Sequence, residues 1–566
     1  MAGLRRWMLP PSCCLLFLAM WPPRGVRCDL PVHCLRHEIV GDWNFQLGGL
    51  SLQRTSCGHE RPDAEGVQPQ NIEQSMEVKT ISLLEPSMAR TKTDVNGNFT
   101  MIYDEGFEVK VDGLVFFAFS RFDMVVKDGM KKNFSRCGET HRGWYREASS
   151  RGKWGCYVAS KVATAASLIQ VPPPEKKPHS ASYDAPLPLA WHENRARDLN
   201  LLQTSWTARV YDRFVGLSLR QLNEYAGIQR SMSRGVPPTA KVVPQRTSES
   251  ALLQVEEERC PEMPVMKHPK PGEVLPRLLL RGQRGQKPCQ LRQQVKVYSQ
   301  PVDRAALAVE ARLPKNFDWR NAHGQNFLEP VMDQADCGSC YMVSTMRMLT
   351  ARHKIKTNNS KAEPWSISFP LHCSEYNQGC KGGYAFLASK WSEDVGLLPA
   401  SCAPYSTSGQ CSVRCDPRTL GKRFRAANHR YLGGWYGNSS SANMMLELYR
   451  NGPVVVSFEP TDDFMFYSGG IFTQARAGVP APLVASNSEW FQVDHAVLLV
   501  GWGEELGQKY WIVQNSWGDQ WGEGGYFRIA RDINDSGIES IVVAADVMED
   551  ERPTVLEEFL KQNTKK

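Results

Sequence analysis

Four side chains spread over 182 positions have the types and surroundings needed for nucleophilic attack on an amide carbonyl: Gln334, Cys340, His495 and Asn515. Cys340 closes the run Gln334-Ala335-Asp336-Cys337-Gly338-Ser339, and after it Met342, Val343, Met346 and Leu349 recur as on one face of a helix. A cysteine at a helix start meets unpaired amide groups and the positive end of the helix dipole, which favour thiolate over thiol. His495 opens the apolar strand His495-Ala496-Val497-Leu498-Leu499-Val500-Gly501-Trp502-Gly503, and a second strand, Tyr510-Trp511-Ile512-Val513-Gln514, leads into Asn515-Ser516-Trp517-Gly518. Paired as a hairpin, these strands bring Asn515 beside His495, where its amide oxygen can accept the ring N–H and fix the imidazole as proton carrier for a thiol. Taken singly, each residue has a plainer reading, since a secreted cysteine is ordinarily half a disulfide and strand histidines and asparagines are ordinarily structural. Their joint occurrence in matching contexts outweighs those readings.

The elements that must position them lie in a chain of 566 residues, long enough for several domains, with 42% hydrophobic and 22% charged residues as in ordinary globular proteins. Arg5-Arg6, an apolar run from Cys13 to Met20 and small residues before Cys28 predict a signal peptide over residues 1–28. That run is too short to span a bilayer, and no later stretch is long and apolar enough, so no membrane association is expected of the mature form. Of 16 cysteines, Cys13, Cys14 and Cys28 fall in the leader, which leaves an odd number in a compartment that favours disulfides. Asn-x-Ser/Thr sequons at Asn98, Asn133, Asn358, Asn438 and Asn534 agree with a secretory route. The formal net charge of +7 is matched by positions 226–300 alone, with 13 Lys or Arg against 6 Asp or Glu. If that segment is excised, the basic balance says nothing of a nucleic-acid partner, and none is expected.

Composition divides the chain. Residues 29–171 alternate short aromatic and β-branched runs with Gly, Asn and Asp turns, predicting an antiparallel all-β unit whose cysteines 34, 57, 137 and 156 can form two bridges of undetermined connectivity. A Pro-rich linker begins at Pro172, and residues 172–312 hold a helical pattern over 190–228, through Leu199, Leu201, Leu202, Trp206, Leu217, Leu219 and Leu222. A Pro-, Gln- and Lys/Arg-rich spacer follows over 235–300, where Cys260 and Cys289 can pair with each other. Residues 313–547 form a Gly-, Trp- and Cys-rich unit holding all four candidate residues, and residues 548–566 a charged, loosely held tail with one short amphipathic helix at Val555, Leu556, Phe559 and Leu560.

In order and context, Gln334, Cys340, His495 and Asn515 resemble the papain family of cysteine peptidases. The resemblance implies an α+β catalytic domain of a helical lobe and a β-barrel lobe, with Gln334 and the Cys340 amide as oxyanion donors. It further implies that Trp517 shields the His–Asn hydrogen bond, and that Gly382 and Gly383 admit substrate backbone. It pairs Cys337 with Cys380, Cys373 with Cys411 and Cys402 with Cys415, leaving Cys340 as the odd thiol. His495 follows Cys340 by 155 positions, a little more than the roughly 130–150 usual in the family, which implies an insertion between the lobes.

Two departures sharpen the likeness: Tyr341 stands where Trp is usual, and an all-β domain precedes the propeptide. Both are similar to the dipeptidyl peptidase, or cathepsin C, branch. So are Asp42-Trp43-Asn44-Phe45-Gln46, Gly106-Phe107-Glu108-Val109, Ser205-Trp206-Thr207-Ala208 and Asp318-Trp319-Arg320-Asn321. This branch implies that residues 29–171 form a barrel exclusion domain, bridged Cys34–Cys137 and Cys57–Cys156, that limits cleavage to dipeptides from free N-termini. Asp29, exposed by cleavage after Cys28, would receive the substrate ammonium. A papain-like endopeptidase using the β-domain for trafficking or binding is the alternative. The branch further implies a chloride site at Tyr384, Phe386 and Tyr431, with Phe386 in place of a Tyr, and no metal or organic cofactor. It also implies a homotetramer and a lysosomal, secretory-organelle or secreted location, while the basic, Pro-rich spacer predicts excision of roughly residues 175–312 by an activating peptidase and the Pro/Ala-rich stretch from Ala475 to Ser488 a second cut. Ser536 replaces a family cysteine.

Overall fold

The computed structural model describes residues 32–62, 77–127, 130–149, 152–162, 185–218, 221–222, 311–416, 420–474 and 493–552, with isolated positions at 308, 556, 557 and 559; between 124 and 133 it describes the strand backbone alone. The leader, Asp29, Cys260, Cys289, the 235–300 spacer and the expected cut within 475–488 lie outside these residues.

The N-terminal half is built from alternation. In β1 (Gly41–Leu47), Trp43, Phe45 and Leu47 are buried while the residues between them are not, the period of two that puts one face of a strand on a core. After the short helix α1 (Arg36–Ile39) and β1 come β2 (Glu77–Leu84), β3 (Met88–Thr91), β4 (Asn96–Ile102), β5 (Gly106–Val111), β6 (Leu114–Lys127), β7 (Met130–Thr140), β8 (Gly143–Glu147) and β9 (Trp154–Lys161). All neighbours are antiparallel, and β1 also pairs with β9, Phe45 opposite Ala159, so the sheet closes into a barrel with no free edge there. Gly106 is required where β5 crosses β6, because a Cβ there would stand 2.4 Å from the Ala118 carbonyl oxygen. Bridges Cys34–Cys137 and Cys57–Cys156 tie the N-terminal segment and the loop after β1 to the barrel.

In the next segment, α2 (Leu189–Leu202) is shorter than the helical pattern over 190–228 suggests. It buries His192, Ala196 and Leu199 and leaves Leu201 and Leu202 exposed. Trp206, expected on that helix, instead lies in β10 (Trp206–Ala208), which pairs with a strand some 260 positions later. Tertiary pairing overrides local propensity at such a site.

The C-terminal half sets helices against a second sheet. It comprises β11 (Phe317–Asp318), α3 (Cys340–Thr357), α4 (Ser368–Cys373), α5 (Ala385–Asp394), β12 (Phe424–Tyr431), α6 (Ser441–Asn451), β13 (Val454–Phe458), β14 (Tyr467–Phe472), β15 (His495–Glu505), β16 (Gln508–Gln514), β17 (Tyr526–Ala530) and β18 (Ile541–Glu549). The sheet runs β10-β14-β17-β16-β15-β13-β18-β12, with β11 on β15. Helix α3 is buried nearly all round, including polar Ser344, Thr345 and Arg352, so it is a core helix rather than an amphipathic one. Bridges Cys337–Cys380, Cys373–Cys411 and Cys402–Cys415 hold the loops around it. The tail is also held more firmly than its composition suggests: Phe559 packs on Trp391 and Phe369, and Glu557 meets Arg423 at 2.9 Å. Among the described residues no helix is long and apolar enough to cross a membrane.

Buried ion pairs join barrel to catalytic half. Arg54 meets Glu375, which also accepts the Trp391 indole N–H at 2.8 Å, and the guanidinium lies over the rings of Trp154 and Tyr376. Arg146 of β8 reaches Glu393 at 2.6 Å and Asp394 at 3.2 Å on α5. Removing one partner of a buried pair leaves an uncompensated charge, so Arg54→Met is expected to cost about 3–5 kcal/mol. Calorimetry of the intact chain, showing a lowered melting transition, checks this.

Candidate active site

Cys340 is the first residue of α3, after Ser339 as N-cap. The loop leading to it is pinned on two sides. Gly338 N–H donates to the Cys380 carbonyl at 2.8 Å beside the Cys337–Cys380 bridge, and Gln334 N–H donates to the Ser516 carbonyl at 2.9 Å. Cys340 is the sole free cysteine among the described residues. Burial pushes its thiol up to about 11, against the pull of the Ala496, Tyr341 and Cys340 amides toward thiolate. These amides favour thiolate, and desolvation outweighs them.

Strands β15 and β16 form the expected hairpin, Leu498 opposite Gln514. Past its end, His495 Nε2–H donates to Asn515 Oδ1 at 2.8 Å, and the Ser516 amide donates to the same oxygen at 2.8 Å. The Trp517 indole stacks on the imidazole, centroids 5.1 Å apart, keeping water from that hydrogen bond. His495 Nδ1 carries no hydrogen bond in the structure, which leaves it to exchange a proton. Burial pushes the imidazole down to about 4, with the Asn515 bond acting in the opposite sense. Desolvation thus opposes charge on both the thiol and the imidazole.

Gln334 is fully buried. Its Nε2 donates to the Cys337 carbonyl at 2.9 Å and its Oε1 accepts from Ser516 Oγ at 2.5 Å, which fixes the amide and leaves one N–H for another acceptor. Tyr405 supports the same loop, its hydroxyl donating to the Gln334 carbonyl at 2.8 Å and meeting Ser339 Oγ at 2.8 Å. The sequence gives no role to Ser516 or Tyr405. Adjacency to Asn515 is a signal for the first; none exists for the second.

Gly382 and Gly383 are kept small by their surroundings as well as by any substrate. Gly382 has φ 116°, in the region that favours glycine, and a Cβ on Gly383 would stand 2.3 Å from Asn377 Oδ1. Tyr384 follows as N-cap of α5, its N–H donating to Asn377 Oδ1 at 2.9 Å and its hydroxyl to Glu105 Oε1 of the barrel at 3.1 Å. The Tyr103 ring lies 5.2 Å from that of Tyr384, so the β4–β5 turn abuts the glycine loop. Phe386 stacks on Tyr431 at 4.5 Å. As an anion site the set fits in part: Phe386 lies in the first turn of α5, whose amides have no helical acceptor, and burial pushes the Tyr431 phenol well up, so it remains a donor. The Tyr384 amide is already taken. Among the described residues no group of three or more His, Cys, Asp or Glu is placed to hold a metal ion.

The segment carrying α2 and β10 covers the Trp517 side. Arg213 donates to the Trp517 carbonyl and reaches Asp333, next to Gln334, at 2.6 Å, while the Phe214 ring lies 6.1 Å from the Trp517 ring.

Comparison with known proteins falls on both halves. The family model "Papain family cysteine protease" matches residues 313–545, and "Cathepsin C exclusion domain" matches residues 29–161. "Cathepsin C" of Schistosoma mansoni is 27% identical over 558 residues, 94% of this chain and 98% of its own. "Dipeptidyl aminopeptidase 1" of Plasmodium falciparum is 34% identical over 40% of this chain and 43% of its own. A "Gut-specific cysteine proteinase" of Caenorhabditis elegans is 32% identical over 42% of this chain and 74% of its own.

Proposed function

Since the chain belongs to the papain family of cysteine proteases, in the branch that carries a cathepsin C exclusion domain, we propose that Cys340, His495, Asn515 and Gln334 cut substrates two residues from a free amino terminus. The protein is a papain-like dipeptidyl exopeptidase, and the endopeptidase alternative is not favoured. The observation that carries the reading is a closed barrel packed on the catalytic half at Tyr384, next to the Gly382–Gly383 loop, where a longer substrate chain would have to pass.

Cys340 gives its proton to His495 Nδ1, and the thiolate attacks the second residue's carbonyl carbon. The oxyanion takes the free Gln334 N–H and the Cys340 amide, a stabilisation of which one donor supplies about 3 kcal/mol. As the C–N bond breaks, imidazolium returns the proton to the leaving amine, and water then hydrolyses the thioester by the same base. Asn515 keeps Nε2 protonated, so that Nδ1 does this work. Bound chloride would supply fixed negative charge beside Phe386 and Tyr431, and the α5 first-turn amide and the Tyr431 phenol would be the groups to hold it.

Asp29 receives the substrate's α-ammonium in this reading. In support, the chain just after it is anchored to the barrel turn that touches Tyr384: Cys34 N–H donates to the Asp104 carbonyl at 2.9 Å and His33 pairs with the Asp104 carboxylate. Asp29→Asn keeps a hydrogen-bond acceptor but loses the charge, so kcat/KM on unblocked substrates is expected to fall about 10- to 100-fold. Steady-state kinetics check that, and mass spectrometry of a long unblocked peptide checks the function itself: successive losses of two residues are expected, and internal fragments would sink it. Activation by excision of about residues 175–312, with a cut in 475–488, belongs to the same reading; the Arg213–Phe214 cover over Trp517, which that excision would remove, supports the first step. The domain limits 29–171 and 313–547, a homotetramer and a lysosomal or secretory location belong to the same proposal; the five disulfides among the described residues support the secretory route.

A further inference from the structure

Deep in the junction between barrel and catalytic half, one imidazole is held by carboxylates from both sides. His429 lies in β12 at a bulge where the register against β18 shifts between Ala427 and Arg430, and Asn428 takes φ 53°. A bulge re-aims a side chain, and here it turns His429 inward, leaving it 2% exposed. Its Nε2 is 2.8 Å from Glu108 Oε2 of β5 and its Nδ1 is 2.8 Å from Glu393 Oε2 of α5. A carboxylate only accepts, so both ring nitrogens must donate, and only the imidazolium can do that. Transfer of the proton to a carboxylate is disfavoured. Although burial raises both, His429, Lys110 and Lys390 hold Glu108 well below the usual range, and His429, Arg146 and Lys390 do the same for Glu393.

Every packed element contributes charge. From β5 come Glu108 and Lys110, which meet at 2.9 Å; from α5 come Glu393, Asp394 and Lys390, the last 3.1 Å from Glu108 and 3.5 Å from Asp394; from β8 comes Arg146, and from β12 itself Arg430. The His429 ring also meets Phe386 edge-on at 5.0 Å, beside Tyr384 and the glycine loop. A cavity of about 270 Å³ lined by Glu108, Lys110, Phe386, His429 and Tyr431 adjoins the ring.

We propose that His429 is a positioning residue, a latch bonded to both sides that holds the barrel against α5 and so enforces rejection of substrates extending beyond a free amino terminus. The proposal rests on the dipeptidyl reading. A side chain that cannot donate to both Glu108 and Glu393 leaves a buried carboxylate on one side of the junction unpaired.

The test is the ratio of kcat/KM for a free over an N-acetylated dipeptide reporter, measured on activated enzyme at one fixed pH, with active sites counted by a thiol-directed inactivator. His429→Gln should lower the ratio about tenfold, while His429→Lys, which keeps a donor-only cation, should retain it. A wild type that discriminates while His429→Gln matches it in ratio overturns the latch alone. A wild type that never discriminates overturns the latch together with the dipeptidyl reading.

Discussion

Replacing Cys340 by alanine should lower kcat for peptide hydrolysis by about 10⁴-fold or more and leave the protein folded. The magnitude follows from losing the nucleophile of a unit whose remaining members act only through it. Folding should survive because Cys340 is outside every disulfide and alanine is a stronger helix former at the start of α3. Single-turnover kinetics with a dipeptide reporter measure the loss, and an unchanged melting transition separates it from unfolding. A variant with wild-type turnover would transfer the chemistry to another group.

The catalytic constellation was legible because its parts are local: a helix beginning at Cys340, a hairpin delivering Asn515 to His495, and a short run linking Asn515 to Trp517. What escaped is what depends on distant pairing. Trp206 looks helical beside Leu199 and Leu202, yet its partner Gly470 lies in the catalytic sheet. The barrel bridges were open by spacing, since Cys34 and Cys137 meet only after the barrel folds and places them 5.4 Å apart between Cα atoms. The tail looked loose because its charge hides Leu556, which is buried, and Phe559, which finds an apolar seat at Trp391 and Phe369. Glu108 and His429 were invisible as a pair: each is unremarkable alone, and a bulge, not a pattern, turns the histidine to the barrel. Asp29 remains the part of specificity that rests on likeness to the family and on kinetics to come.

Blocking the substrate's amino terminus should have the second large effect. The α-ammonium to carboxylate attraction at 4 Å is worth about 4 kcal/mol in a partly desolvated cleft, close to a thousandfold in rate. Acetylation removes that charge and adds bulk on the side where Tyr384, Tyr103 and Glu105 already join barrel to glycine loop. The loss should therefore exceed that of Asp29→Asn, which leaves room and a hydrogen-bond acceptor. The most direct measurement is thus kcat/KM of the activated enzyme for one reporter dipeptide with its amino terminus free and acetylated. A preference of about 10³ for the free form is expected, and equal rates would contradict a barrel that confines cleavage to two residues from a free amino terminus.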